Sequence, residues 1–402
     1  MSLLEVRDLH VWFDPPQGQP VHAAAGVSFA LAAGERFGLV GESGCGKTTT
    51  ILALMGLLPP NASLAGEVLV DGRNILAGGE DSVRGHRWKD VAMVFQGAMN
   101  AMNPVKKIGW QIAEPMAFHG VAQGAAARQR AGELLELVGI PASAAERYPH
   151  ELSGGMRQRA SIAMALACQP KILLADEPTT ALDVMVQAQI LELLTGLSDD
   201  LGLALVLVTH DLPVVAQVCD RAAVMYAGEI VEAGPVEALY HEPGHPYTRL
   251  LFAATPDLYG EEEVVSIPGA PPRLDREMTG CPFRPRCDSY FDPCARDHPV
   301  LTLVAPAHRA ACHLTGLPAG ERAAREGARP LGGGGADPGG STNPGGSTNP
   351  GGSTNPGGSA DPSGSADPGG GAGPAGSADP GGSMGQSSDP GQSPDLVAGD
   401  AS

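Results

Sequence analysis

Short unbroken apolar runs alternate along this chain with stretches whose apolar positions recur at helical spacing. Residues 37–40 form such a run, and residues 47–58 follow with apolar side chains on repeated turns, which predicts a buried strand feeding a helix. Residues 172–174 and the stretch LALVLVTH, ending at His210, predict further strands of the buried, parallel type, and VAMVFQG carries another. The chain from about Pro104 to Leu152 reads as helices, including the amphipathic ARQRAGELLELVGI, and a helix opens after Ser153 with Ile162, Met164 and Leu166 on its apolar face. The expected architecture is α/β. Residues 1–100 hold an antiparallel β portion and the start of a core, 104–152 a helical subdomain, and 153–235 the rest of a parallel sheet, with 236–330 an extension. From Leu331 onward the patterning stops. Residues 331–402 are almost entirely Gly, Pro, Ser, Ala, Asp, Asn and Thr, with three tandem GGSTNP copies, and cannot bury enough apolar surface to offset ordering entropy. They are read as a disordered tail.

The loop between the first strand and helix is GESGCGKT. Gly41, Glu42, Ser43, Gly44, Cys45, Gly46, Lys47 and Thr48 fit the pattern G-x-x-x-x-G-K-[ST]. Its glycines let backbone N–H groups turn inward around phosphate oxygens at a helix start, while Lys47 reaches the β and γ phosphates and the Thr48 hydroxyl ligates Mg²⁺. The strand at 172–174 ends in Asp176, placed to hold Mg²⁺ directly or through water, and Glu177, placed to polarise an attacking water as general base. Ser153, Gly154 and Gly155 open their helix with a hydroxyl and free N–H groups, a second anion site. Cys45 is read as a small residue in the loop; an exposed thiol beside phosphate-binding amides would be sensitive to oxidation.

With ELSGGMRQRASIAMALA added to the phosphate loop and acidic strand, the chain resembles the ATP-binding cassette (ABC) family of P-loop NTPases. In that family two cassettes enclose two ATP molecules, each between the P-loop of one subunit and the signature of the other. The resemblance therefore implies a dimer, with Ser153, Gly154 and Gly155 acting in trans and Thr49 joining the P-loop contacts. It implies that Gln96 senses Mg²⁺ and the attacking water, so that Mg²⁺ is held through Thr48, Gln96 and Asp176. Asp183 matches the D-loop, and His210 the switch histidine that holds the γ-phosphate and Glu177. Phe13 stands where an aromatic stacks on adenine, with Trp12 as its rival.

The segments DEPTTALDVMVQAQIL, THDLPVVA, HPYTRLL, IPGAPPRL and GCPFRPRC look like the ATPase subunits of dipeptide/oligopeptide importers, which include relatives for nickel and other small solutes. The segment GLLPPNASLAGEVLVDG resembles the first of that group's two paired ATPases. The resemblance covers roughly residues 1–315 and implies two membrane permeases and, indirectly, an extracellular solute-binding protein as partners. It places the chain on the cytoplasmic face of the membrane. One departure is Gly97-Ala98, where the family has Asp-Pro after the Q-loop glutamine; it puts the contact with the permease in question, not hydrolysis.

Charge narrows the alternatives. The formal charge is −19, and the tail's seven aspartates, with no basic residue, leave −12 for residues 1–330. An acidic body is poorly matched to nucleic acid. Cassette proteins acting on chromosomes place a very long coiled coil between P-loop and signature, whereas about a hundred residues separate Lys47 from Ser153 here. Translation types generally carry two cassettes per chain. A non-catalytic structural cassette tends to lose the base or the switch histidine, and both Glu177 and His210 are present. The importer-type carboxy-terminal motifs argue against an exporter. MSLLEVRDLH has charges where a signal peptide needs an apolar core, and LGLALVLV is far shorter than a bilayer span, so a soluble cytosolic chain is expected.

Four of the seven cysteines, Cys281, Cys287, Cys294 and Cys312, crowd into one short stretch. A reducing compartment disfavours disulfides, and their spacing departs from the paired C-x₂₋₄-C of structural zinc, so a cluster, zinc and unligated thiols stay open. The importer resemblance implies a [4Fe–4S] cluster on these four, with His313 and His298 as nearby substitutes.

Overall fold

The computed structural model describes residues 2–97, 102–254, 266–276 and 278–328; the tail at 331–402 and Ala98 lie outside them. An antiparallel sheet in the order β2-β1-β4-β5 is built from β1 (Leu4–Phe13), β2 (Val21–Leu31), β4 (Ala62–Val70) and β5 (Arg73–Asn74). The second sheet contains β3 (Arg36–Val40), β6 (Val91–Val94), β7 (Ile172–Asp176), β8 (Ala204–Thr209), β9 (Arg221–Tyr226), β10 (Glu229–Pro235), β11 (Thr302–Ala305) and β12 (His308–Ala310). Its order is β11-β12-β10-β9-β3-β8-β7-β6, parallel from β9 to β6.

Strand alternation divides the core between the two faces of this sheet. Val40, Leu173, Leu205 and Leu207 pack with the helices of the expected helical subdomain, while Leu39, Leu174, Val206 and Val208 pack with Leu9, Val11 and Ile51 on the other face. Covering on both faces is what makes these strands read as unbroken apolar runs.

Two expectations change. The helix expected to reach residue 58 spans Lys47–Leu54. It stops because Gly56 takes φ +58° and the Leu57 N–H reaches back to the Leu52 carbonyl, with Gly56 N–H on Ala53, a left-handed glycine cap ahead of two prolines. The sheet expected to be parallel to residue 235 turns back at β10, which is antiparallel to β9. The extension after residue 235 is also continuous with the cassette: β12 pairs with β10 through Glu232↔Ala310 and Ala233↔Arg309, and β11 pairs with β12.

A buried carboxylate pins the extension. Glu232 on β10 has no solvent exposure and accepts from the Gly244 N–H (2.5 Å), the His245 N–H (3.0 Å) and His308 Nε2 (2.6 Å). Three donors offset the desolvation of the charge. Burial pushes His245 down to about 4, so its neutral Nδ1 accepts the Tyr247 N–H (3.0 Å) and caps the helix Pro246–Ala253. That cap fixes where Tyr247 enters the core.

Candidate active site

The P-loop runs from the end of β3 into the helix Lys47–Leu54. Gly41, Gly44 and Gly46 hold φ of +152°, +81° and +106°, turns that L side chains rarely adopt. Lys47 is buried and donates its Nζ to the Gly41 (2.7 Å) and Glu42 (2.9 Å) carbonyls. Thr48 faces Asp176 at the end of β7, its Oγ1 donating to Oδ1 at 3.3 Å. Burial, with the Glu177 charge adding to it against Thr48 and Lys47, pushes the Asp176 carboxyl up to about 6. A buried carboxylate beside a hydroxyl, with its charge held at a cost, suits Mg²⁺, which Thr48 and Asp176 could hold, whereas Gln96 meets Glu177 instead.

Glu177 is the hub of the site. Its φ is +42°, and its N–H donates to the Val208 carbonyl (2.8 Å), so β8 sets where it points. Its carboxylate accepts from Gln96 Nε2 (2.8 Å) and the Thr180 hydroxyl (2.9 Å) on Oε2, and meets His210 Nδ1 (3.1 Å) on Oε1. Burial opposes its charge, but the His210 and Thr180 hydrogen bonds with the His210 and Lys47 charges outweigh it and hold the carboxyl below its ordinary value. Glu177 is therefore ionised at neutral pH, as a base must be. Gly41, Glu42, Ser43, Gln96, Glu177 and His210 line one pocket of about 550 Å³ together with Leu251 and Pro271.

The remaining expected residues lie elsewhere. Ser153 caps the helix Gly154–Ala165, its Oγ accepting the Met156 N–H (3.3 Å), and Gly155 is needed because a Cβ there would meet Val186 Cγ1 at 2.7 Å. Neither Ser153 nor Gly154 and Gly155 line the P-loop pocket. Asp183 caps the helix Val184–Leu201 by accepting the Val186 N–H (2.9 Å). Strand alternation sets Phe13 against the core, while Trp12 stacks on His22 with ring centroids 4.8 Å apart; neither lines the pocket. Thr49 follows Thr48 on the first helical turn, half-buried.

Two readings are corrected. Cys45 is buried, and that burial, outweighing Lys47, raises its thiol above the ordinary value, so it is not the exposed, oxidation-sensitive thiol considered above. His298 is not a spare ligand: Nδ1 meets the Gly280 carbonyl (3.1 Å) and Nε2 the Glu229 carboxylate (2.9 Å), occupying both ring nitrogens.

Sequence reasoning missed the second layer of this site. Tyr247, Arg286 and the side chain of Glu42 touch the P-loop or lie within it, and no local spacing connects positions so far apart in the chain. HPYTRLL and GCPFRPRC stood out only as family marks.

Among the described residues no group of three or more His, Cys, Asp or Glu side chains is gathered to hold a metal ion, and no helix is long and apolar enough to cross a membrane.

A P-loop beside a strand-end Asp-Glu pair, with Gln96 and His210 converging on Glu177, defines an ATP-hydrolysing cassette. Family models agree: residues 24–180 match ABC transporter, and residues 231–294 match Oligopeptide/dipeptide transporter, C-terminal region. A "probable peptide ABC transporter ATP-binding protein y4tR" of Sinorhizobium fredii is 47% identical over 316 residues, covering 77% of this chain and 94% of that protein. The dipeptide transport ATP-binding protein DppD of Bacillus subtilis is 45% identical over 319 residues, 78% of this chain and 95% of its own length. Among solved structures, the dimeric bacterial ABC transporter cassette MJ0796 superposes with a TM-score of 0.52 at 30% identity, over 58% of this chain and 98% of that one. The chain belongs to the ABC transporter family, in the branch of oligopeptide/dipeptide ATP-binding proteins.

Proposed function

We propose that this chain is the ATP-hydrolysing subunit that powers import of dipeptides or oligopeptides through partner membrane permeases. The observation that carries the reading is Glu177, ionised and oriented by Gln96, Thr180 and His210 at the rim of the P-loop pocket. Bound ATP places its phosphates over the P-loop amides and Lys47. Glu177 then accepts a proton from the attacking water, and His210 holds both Glu177 and the terminal phosphate. Ser153, Gly154, Gly155 and Asp183 serve the partner cassette's ATP, which fits their position outside this chain's own pocket, and Phe13, only partly buried against the core, offers the adenine its uncovered ring surface. The subunit works as a cassette dimer, peripheral on the cytoplasmic face of the membrane, with two permease subunits and, indirectly, an extracellular solute-binding protein; nucleic acid is not a partner. Exposed Val105, Trp110 and Phe118 on the helical subdomain suit the permease contact. Cells lacking this chain are expected to lose uptake of a radiolabelled dipeptide, recovered by wild type and not by Glu177→Gln. Unchanged peptide uptake with loss of nickel uptake instead would reassign the cargo.

We further propose that Cys281, Cys287, Cys294 and Cys312 hold an iron–sulfur cluster. Support comes from the donor set: none of the four is in a disulfide, and the Cys281 N–H meets the Cys294 carbonyl at 2.9 Å. Burial pushes Cys281 up to about 11 and Cys312 up to about 12, and the Cys294 charge adds to both shifts. The four thiols would be the ligands of such a cluster, which takes four cysteine thiolates. His313, whose Nε2 meets the Asp297 carbonyl at 2.8 Å, is tied to the backbone beside them. Anaerobic purification is expected to give a brown protein with iron and sulfide in equal amounts; a colourless protein carrying zinc would reverse the assignment.

A further inference from the structure

The nucleotide pocket is not built by the cassette motifs alone. Glu42, the second residue of the P-loop, is held twice by the extension. Its carboxylate receives Arg286 Nη1 and Nη2 at 2.6 and 2.9 Å in a forked pair, and its N–H donates to the Tyr247 hydroxyl at 2.9 Å. Both partners are themselves anchored. Arg286 is buried and donates Nε to the Pro268 carbonyl (2.8 Å), and Tyr247 is fully buried in an aromatic cluster with Tyr226 and Phe283. The Glu42 pairing outweighs burial and raises the Arg286 guanidinium above its ordinary value.

The same extension reaches the far side of the loop. Leu251 and Pro271 line the pocket, and the Leu274 carbonyl accepts the His22 N–H (3.0 Å) on β2. Ala23, next along β2, backs onto Gly46 so closely that a Cβ there would lie 2.1 Å from the Ala23 oxygen. The P-loop is therefore held at its start through Glu42 and at its end through β2. Lys47 couples the two ends by donating to the Gly41 and Glu42 carbonyls.

We propose that Arg286 and Tyr247 are positioning residues of the P-loop, so that the carboxy-terminal extension sets the affinity of the nucleotide site. Neither is placed to touch ATP; they hold the loop in the shape that binds it. This rests on the ATPase reading above. A forked guanidinium–carboxylate pair is specific to arginine, because a lysine ammonium cannot make both bonds in one plane.

The test is titration of the full chain with Mg²⁺ and a fluorescent ATP analogue, with steady-state hydrolysis measured alongside. Arg286→Lys and Arg286→Ala are expected to raise Kd and KM for ATP by about tenfold, with kcat falling less than KM rises, and Tyr247→Phe by a few-fold. Glu42→Gln combined with Arg286→Ala should weaken binding no more than the worse single change, because both remove one pair. Thermal unfolding of Arg286→Lys checks that the fold survives, and Tyr247→Phe gives a second, milder reading. Wild-type affinity in folded Arg286→Lys and Tyr247→Phe, or additive losses in the double variant, would overturn the proposal. Wild type that fails to bind the analogue would instead remove the ATPase reading beneath it, whereas wild type that binds but does not hydrolyse would leave the positioning role standing.

Discussion

Glu177→Gln is expected to lower kcat for ATP hydrolysis by about a thousandfold while leaving the affinity for ATP within a few-fold. Glutamine keeps the shape and preserves the contacts with Thr180 and Gln96 in outline, but it has no charge with which to accept the proton of the attacking water. The effect should therefore fall on kcat rather than on binding. The His210 contact is the second consequence: the Glu177 oxygen that meets His210 becomes an amide NH2, so that bond loses its charge-assisted partner while the Thr180 bond on the other oxygen keeps an acceptor. Measuring hydrolysis and nucleotide binding on the same preparations separates the two effects. A kcat equal to wild type would remove Glu177 from the base role and shift it to another group on the pocket wall.

Gly46→Ala is expected to weaken ATP binding by about a hundredfold and to lower the melting temperature. Two costs coincide at this position. The backbone sits at φ +106°, where an L residue is strained, and an added Cβ would lie 2.1 Å from the Ala23 carbonyl, a backbone atom within β2 that cannot step aside. The loop must open, and with it the ring of amides that cradles phosphate. Gly44→Ala is the control. It shares a positive φ, +81°, but its Cβ would meet open space, so only the conformational cost of about 1–2 kcal/mol remains. Equal effects of the two substitutions would show that strain alone, and not the packing of the loop on β2, governs the site.

The phosphate loop, the strand-end Asp176 and Glu177, and the strand that delivers each are legible in the sequence. In every case the residues concerned are contiguous, and their local geometry is a property of a few adjacent dihedrals. The glycines of GESGCGKT fall where positive φ is needed, and the apolar runs at 37–40 and 172–174 became strands covered on both faces. Helix Lys47–Leu54 ended earlier than its apolar repeat because the cap at Gly56 outranks periodicity. The thiol of Cys45 is another case: sequence placed it in the loop, and only the packing around it determined that it is buried.

The chemistry of this protein is written locally along the chain: a P-loop, an acidic pair, a glutamine and a histidine in an order that defines the cassette. Which of these residues meet depends on the fold. Gln96, Thr180 and His210 converge on one carboxylate because β6, β7 and β8 lie side by side, and residues 244 positions apart close a forked ion pair between Glu42 and Arg286. No local pattern encodes such a pair. It follows from the return of β10, β11 and β12 to the edge of the main sheet and from the buried Glu232 that pins them there, where distance in space is set by strand order and not by distance along the chain.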